Sequence, residues 1–268
     1  MARIITIAMQ KGGVGKTTTT INLSAALAAL EHRVLAIDLD PQGNLTEHVG
    51  FDPEQVKPTI YDVLRLELDG QGSEVRAAIL NSEEGFDLVP SQPELSLVEL
   101  SLMNALSRER ILATILDEIK SDYDFILIDC SPSLNLLVIN ALTAADSVII
   151  PIQTEYLAAR GASMVLSTIE TIRQKKLNPA LYVEGILLTM ADTRTILTKD
   201  VVAAVDHQFG VGQHIFKPIV KRSVRFAESA VAGKSILAYD SKNPGAEAYR
   251  QVAQEVARNA QREEATYG

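Results

Sequence analysis

Apolar positions in this chain fall into short unbroken runs separated by longer stretches with helical spacing. Ile4, Ile5 and Ile7 around Thr6 form the first run and predict a strand over residues 3–8. Similar runs predict strands over residues 33–38, 86–90, 125–129, 147–151 and 183–190, with a last one over 213–220. Apolar residues on consecutive positions, rather than on alternating ones, mark strands buried on both faces, as in a parallel sheet sandwiched by helices. Between the runs, Ile21, Leu23 and the alanine-rich stretch to Leu30 predict a helix. Further helices are expected over 59–66, 95–106, from a Ser107 cap through Ile111, Ile115 and Ile119, up to about 176, and over 196–209. A final one, capped by Asn243, runs from 244 to about 262. Pro53, Pro58, Gly70, Gly72 and Gly85 break the stretch from 50 to 92 into pieces with little regular pattern. Strand and helix alternate from end to end. The expected fold is therefore α/β, one domain over 1–268, with a mostly parallel central sheet, helices on both faces and right-handed crossovers.

The first turn between strand and helix carries the most specific chemistry. Met9 to Thr20 reads Met-Gln-Lys-Gly-Gly-Val-Gly-Lys-Thr-Thr-Thr-Thr. Glycines leave backbone N–H groups free to converge on phosphate oxygens, and the following helix N-terminus adds partial positive charge. Lys16 would reach the β/γ-phosphates and the Thr17 hydroxyl would ligate Mg²⁺. Gln10 stands where the first glycine of the usual P-loop belongs. A dinucleotide fingerprint fits less well, because Thr18 occupies the place of its third glycine. Two later strands end in acids, one at Asp38-Leu-Asp40-Pro and one at Asp129. Ligands of open α/β sheets bind at such carboxyl ends. An Asp-x-Asp-Pro segment by itself is equally a turn before Pro41.

Composition narrows the classes. A 47% hydrophobic content over 268 residues supplies a sheet core covered on both sides. Cys130 is the single cysteine, which excludes a disulfide framework and Cys-x-x-Cys metal sites and fits a reducing compartment. Cys130 itself reads as a small packed residue rather than a nucleophile. The four histidines are scattered, which argues against zinc. A first strand at the start of the chain and the lack of any apolar run near ~18 residues argue against a signal peptide or membrane span. The net charge of −9 argues against indiscriminate nucleic-acid binding, but it is uneven. From Arg194 to Arg250 there are nine Lys/Arg against five Asp/Glu, which is either solvation or a basic face on an acidic body.

The motifs together resemble one family. Lys11-Gly-Gly-Val-Gly-Lys-Thr-Thr18 resembles the deviant Walker A loop of the ParA/MinD ATPases, with Lys11 as the extra signature lysine. Asp38-Leu-Asp-Pro-Gln-Gly-Asn44 resembles the family's switch, and Asp129-Cys-Ser-Pro-Ser133 its Asp-x-x-Pro-Ser segment. Pro151 to Gly161 and Val220 to Ser229 match further blocks, with Arg222, Arg225 and Glu228 in register. Lys221 and Ala230 replace family prolines, and Met9 stands where Asn is common. The similarity runs from Ile4 to about Arg258 and is greatest to the ParA/Soj-type Walker ATPases, without the helix-turn-helix extension of larger plasmid members. It implies a P-loop NTPase-like fold that uses ATP and Mg²⁺. Lys11, Gly12, Gly13, Val14, Gly15, Lys16, Thr17, Thr18 and Met190 would surround the nucleotide. Thr17, Asp38 and Asp129 would serve the metal, and Asp40 would polarise the attacking water. Lys11 would reach across an ATP-dependent homodimer to the partner's nucleotide, as a catalytic residue beside Lys16 and Asp40. Dimerisation would join two copies of a face carrying Arg194, Lys221, Arg222 and Arg225, and so switch nonspecific binding of double-stranded DNA. A ParB-like or adaptor protein would stimulate hydrolysis, and the protein would be cytoplasmic and nucleoid-associated, moving a plasmid, a chromosome origin or a protein organelle. The alternative is a MinD-like membrane-cycling division regulator, which requires a bulky amphipathic C-terminal helix; after Pro244 the apolar residues are mostly small. A metal-cluster carrier with the same loop would need cysteines this chain lacks.

Overall fold

The computed structural model describes residues 2–155, 158–192 and 196–267. Its strands are β1 (Arg3–Ile7), β2 (Val34–Leu39), β3 (Leu80–Asn81), β4 (Asp87–Val89), β5 (Phe125–Cys130), β6 (Ser147–Gln153) and β7 (Tyr182–Thr189). They form one sheet in the order β3-β4-β2-β5-β1-β6-β7, parallel except for the antiparallel edge strand β3. The helices are α1 (Lys16–Ala28), α2 (Asn44–His48), α3 (Ile60–Leu68), α4 (Leu95–Met103), α5 (Ile111–Asp117) and α6 (Leu136–Ala144). They continue with α7 (Ala158–Gln174), α8 (Ile196–Phe209), α9 (Arg225–Val231), α10 (Ile236–Tyr239) and α11 (Pro244–Tyr267).

The unbroken apolar runs are explained by two cores, one on each face of the sheet. Leu35, Ile37, Ile126, Ile128, Val148 and Ile150 point into the first, which α3 to α8 cover. Ile5, Ile7, Ala36, Leu127 and Ile149 point into the second, under α1, α2, α10 and α11. Strand side chains alternate between faces, so both sets must be apolar when both faces are covered. Each fully buried Leu or Ile contributes about 1.5–3 kcal/mol. The apolar side of α11 (Ala246, Tyr249, Val252, Val256) is packed inward, and the Tyr249 hydroxyl lies 3.2 Å from Thr19 Oγ1 on α1.

Two sequence expectations are corrected. Residues 213–220 do not form a continuous strand; they follow β7 through isolated bridges at Ile186–Ile215 and Ala191–Lys221. Pro218 lies between these bridges and has no N–H to give a ladder. Ser107 does not cap α5. It adopts φ +52°, and Arg110 is the N-cap without a side-chain bond. The first-turn N–H of Leu112 donates instead to Asn140 Oδ1 of α6 at 3.1 Å. Asn243, by contrast, does cap α11, accepting the Gly245 N–H at 2.9 Å. No helix among the described residues is long and apolar enough to cross a membrane.

Candidate active site

The carboxyl ends of β1, β2 and β5 meet at the centre of the sheet, because Ile7 and Asp38 both lie opposite Asp129 in the ladder. The chain leaves β1, passes Gly13 (φ +71°) and Gly15 (φ +88°), and enters α1. Those left-handed backbone angles favour glycine at both positions. A Cβ on Gly12 or Gly13 would meet no atom within 4 Å, so the loop borders open space. Gly15 is the N-cap of α1, and no side chain caps that end. The first-turn amides therefore remain available to an anion. Val14 anchors the loop: it is buried, and its carbonyl accepts the Thr189 hydroxyl at 2.8 Å.

Lys16 is only 7% exposed, and its Nζ donates to the Lys11 carbonyl at 3.4 Å. Burial holds its pKa below the usual lysine value, while Asp129 and Asp40 pull the other way. Thr17 Oγ1 donates to Asp129 Oδ2 at 2.6 Å, and Thr20 Oγ1 lies 3.3 Å from Oδ1. Asp129 has no solvent exposure. Burial, reinforced by the charge of Asp38, pushes its carboxyl up to about 8, against the Thr17 bond. Asp38 is equally buried and is pushed up to about 6 by desolvation, although the Thr46 amide and hydroxyl both donate to its Oδ2, at 2.8 and 2.7 Å. Asp40 is 7% exposed and accepts the Gln42 N–H at 3.0 Å, which is the turn geometry expected before Pro41. It also lines the cleft, so turn-former and site residue are the same side chain. Cys130 is buried and its thiol is pushed up by desolvation and Asp129, which makes it a packed residue.

These elements enclose a cleft of about 870 Å³. Gly12, Gly13, Gly15, Lys16, Thr17 and Thr18 form one wall, and Met190, at φ +53°, joins them from the end of β7. Asp40, Asn44 and His48 also line the cleft, as do residues 230–233. Lys11 pairs with Glu155 at 2.6 Å. The cleft also has a hydrogen-bonded second layer that motif reading does not reveal. Ser91 Oγ donates to the Asp40 carbonyl at 2.7 Å, and His48 Nε2 lies 3.1 Å from the Lys234 carbonyl. Met9 packs its methyl group against Gly161, where a Cβ would push the methionine end aside.

Of the basic candidates, Lys221, Arg222 and Arg225 lie within one exposed stretch, the first two beside an open recess of about 660 Å³ that Ala191 and Asp192 also line. Arg225 begins α9 and pairs with Glu228 at 2.7 Å. Arg194 lies outside the described residues.

A family model described as an AAA domain matches residues 2–183. The sporulation initiation inhibitor protein Soj of Bacillus subtilis (strain 168) is 44% identical over 259 residues, which is 97% of this chain and 100% of the relative. The chromosome partitioning protein ParA of Caulobacter vibrioides is 43% identical over 256 residues, 95% of this chain and 93% of the relative. Among solved structures, cobyrinic acid a,c-diamide synthase from Mycobacterium smegmatis with bound ADP and magnesium is similar at 37% identity and a TM-score of 0.84, over 97% of this chain and 96% of that one.

Proposed function

The chain belongs to the ParA/Soj-type Walker ATPases, and from that premise we propose a partitioning ATPase whose grip on DNA is set by its nucleotide. Two ATP-loaded copies close into a sandwich dimer. The dimer binds double-stranded DNA without regard to sequence, and hydrolysis stimulated by a ParB-like or adaptor protein releases it. The observation that carries this reading is the convergence of Lys16, Thr17, Asp129 and Asp40 around one cleft beside an uncapped helix N-terminus.

Phosphoryl transfer asks for positioning and charge neutralisation more than covalent chemistry. Lys16 and the loop amides hold the phosphates, and Asp40 orients and polarises the attacking water. The donor set fits magnesium: hydroxyl and carboxylate oxygens only, with two buried acids whose desolvation raises their pKa values, a penalty that a bound cation would relieve. Thr17, Asp38 and Asp129 would hold the ion, which when bound neutralises charge on the phosphate oxygens. Lys11 acts from the other subunit, since Lys16 already serves the phosphates in its own. Lys221, Arg222, Arg225 and Arg194 supply phosphate contacts to DNA from each copy.

Two other readings fit less well. Catalysis by a cysteine nucleophile needs a reactive thiol, and the single cysteine is buried with its thiol pushed up. Membrane cycling in the family's manner needs a bulky apolar face on the C-terminal helix, and among the described residues the apolar side of α11 is mostly small and packed inside the fold.

Calorimetry and sedimentation with ATP test the proposal. Asp40→Ala should bind ATP and dimerise while its turnover falls about 10²–10⁴-fold. Lys11→Ala should bind ATP, lose stable dimerisation and lose hydrolysis by on the order of 10²-fold or more. Wild-type turnover in Asp40→Ala reduces that residue to a turn-former; wild-type turnover in Lys11→Ala removes the trans lysine.

A further inference from the structure

Lys11 is the residue on which the trans mechanism depends, and in the single chain its ammonium is engaged. Nζ lies 2.6 Å from Glu155 Oε2. Glu155 follows the carboxyl end of β6, and the backbone there is fixed. The Thr154 N–H donates to the Thr189 carbonyl at 3.2 Å, and the Glu155 N–H to the Gln153 carbonyl at 2.8 Å. On the other side, the Lys11 carbonyl accepts Lys16 Nζ. Each partner thus has its main chain tied to the site, and only the two side chains must move for the pair to part.

We propose that Glu155 is a latch: it holds Lys11 within its own subunit until a second copy draws the lysine across. This inference rests on the trans-lysine reading above. The contact has the strength such a device needs. The two side chains are 43% and 51% exposed, so water and salt screen the pair and it opens readily. A buried pair would not release at each cycle, because parting it would strand an unpaired charge. Every dimer must break two of these contacts, so the latch taxes association twice. Removing it should tighten dimerisation by about 2- to 30-fold, the range that follows from two exposed ion pairs. Glu155 is on this account a positioning residue: it is not among the residues lining the cleft and acts only through Lys11.

The experiment compares wild type, Glu155→Gln, Lys11→Ala and the double variant, without DNA or partner protein. Sedimentation velocity with ATP gives the dimerisation constant, basal phosphate release gives turnover, and thermal unfolding gives stability. The expected result is that Glu155→Gln dimerises about 2- to 30-fold more tightly. Its turnover should rise with it at protein concentrations below the dimerisation constant, with an unchanged melting temperature. Both gains should vanish in the Lys11→Ala background. Raised salt should tighten wild-type dimerisation more than that of Glu155→Gln, because it screens a latch only the former has. Unchanged or weaker dimerisation in Glu155→Gln, with Lys11→Ala impaired, overturns the latch alone. An equal gain in both backgrounds overturns it too, because Glu155 would then act without Lys11. Wild-type behaviour of Lys11→Ala removes the trans reading and the latch together, so the two failures are told apart.

Discussion

Asp38 and Asp129 stand opposite one another at the ends of β2 and β5, both without solvent exposure; burial disfavours ionisation of each, and the charge of Asp38 adds to the shift of Asp129. Their carboxyls are raised from 3.8 to about 6 and about 8, so the folded protein holds protons that the unfolded chain releases. Below about pH 4 both states are protonated and there is no penalty. As pH rises from about 4 the penalty grows, levelling off near 6 for Asp38 and near 8 for Asp129, and the nucleotide-free protein loses stability across that window. Asp129→Asn should flatten this decline and stabilise the nucleotide-free protein at pH 8 by on the order of 1–3 kcal/mol. The same change should abolish magnesium-dependent nucleotide binding. Melting curves from pH 4 to 8 check the first, and a stability that climbs toward pH 8 contradicts it. At this scale the loop and the strand-end acids were legible because a phosphate cradle is contiguous in sequence. Thr189, Ser91 and Glu155 were not, since each bonds across 175, 51 or 144 residues and no local pattern marks the pairing.

The P-loop is placed by α1, and α1 is held by α11 through small residues. Ala246 and Ala253 are fully buried there beside Val252 and Val256, and small side chains let two helices approach closely. Ala253→Leu should overpack this contact and cost about 1–3 kcal/mol in urea unfolding. A neutral result would mean that the α1–α11 contact is not tightly packed. The parallel strands were readable as unbroken apolar runs, and α8 and the start of α11 from their spacing and cap. α6 was missed because it is apolar nearly all round: Leu137, Val138, Ala141 and Leu142 are buried, and such a helix shows no periodicity. α2 spans five residues, too few for a pattern, yet it carries Thr46 to Asp38. Ser107 looked like a cap because its residue type suits one, but Asn140 on α6 supplies that bond from outside the local sequence.

At the scale of the molecule, a chain of net charge −9 carries an exposed basic stretch at Lys221, Arg222 and Arg225, and the proposal makes that asymmetry functional. Arg225 pairs with Glu228 three residues on and lies 3.9 Å from Asp240, exposed contacts that water and salt screen, so a phosphate can take the guanidinium over readily. Reversing its charge removes a phosphate contact and adds repulsion, once in each copy. The most direct measurement is a gel shift on unrelated duplexes with ATP or ADP, from about 50 to about 200 mM salt, for wild type and Arg225→Glu. The account predicts wild-type binding with ATP only, equal across sequences and falling steeply with salt, and no binding by Arg225→Glu although it still binds ATP and dimerises. Equal binding with ATP and ADP, or wild-type affinity in Arg225→Glu, would contradict it.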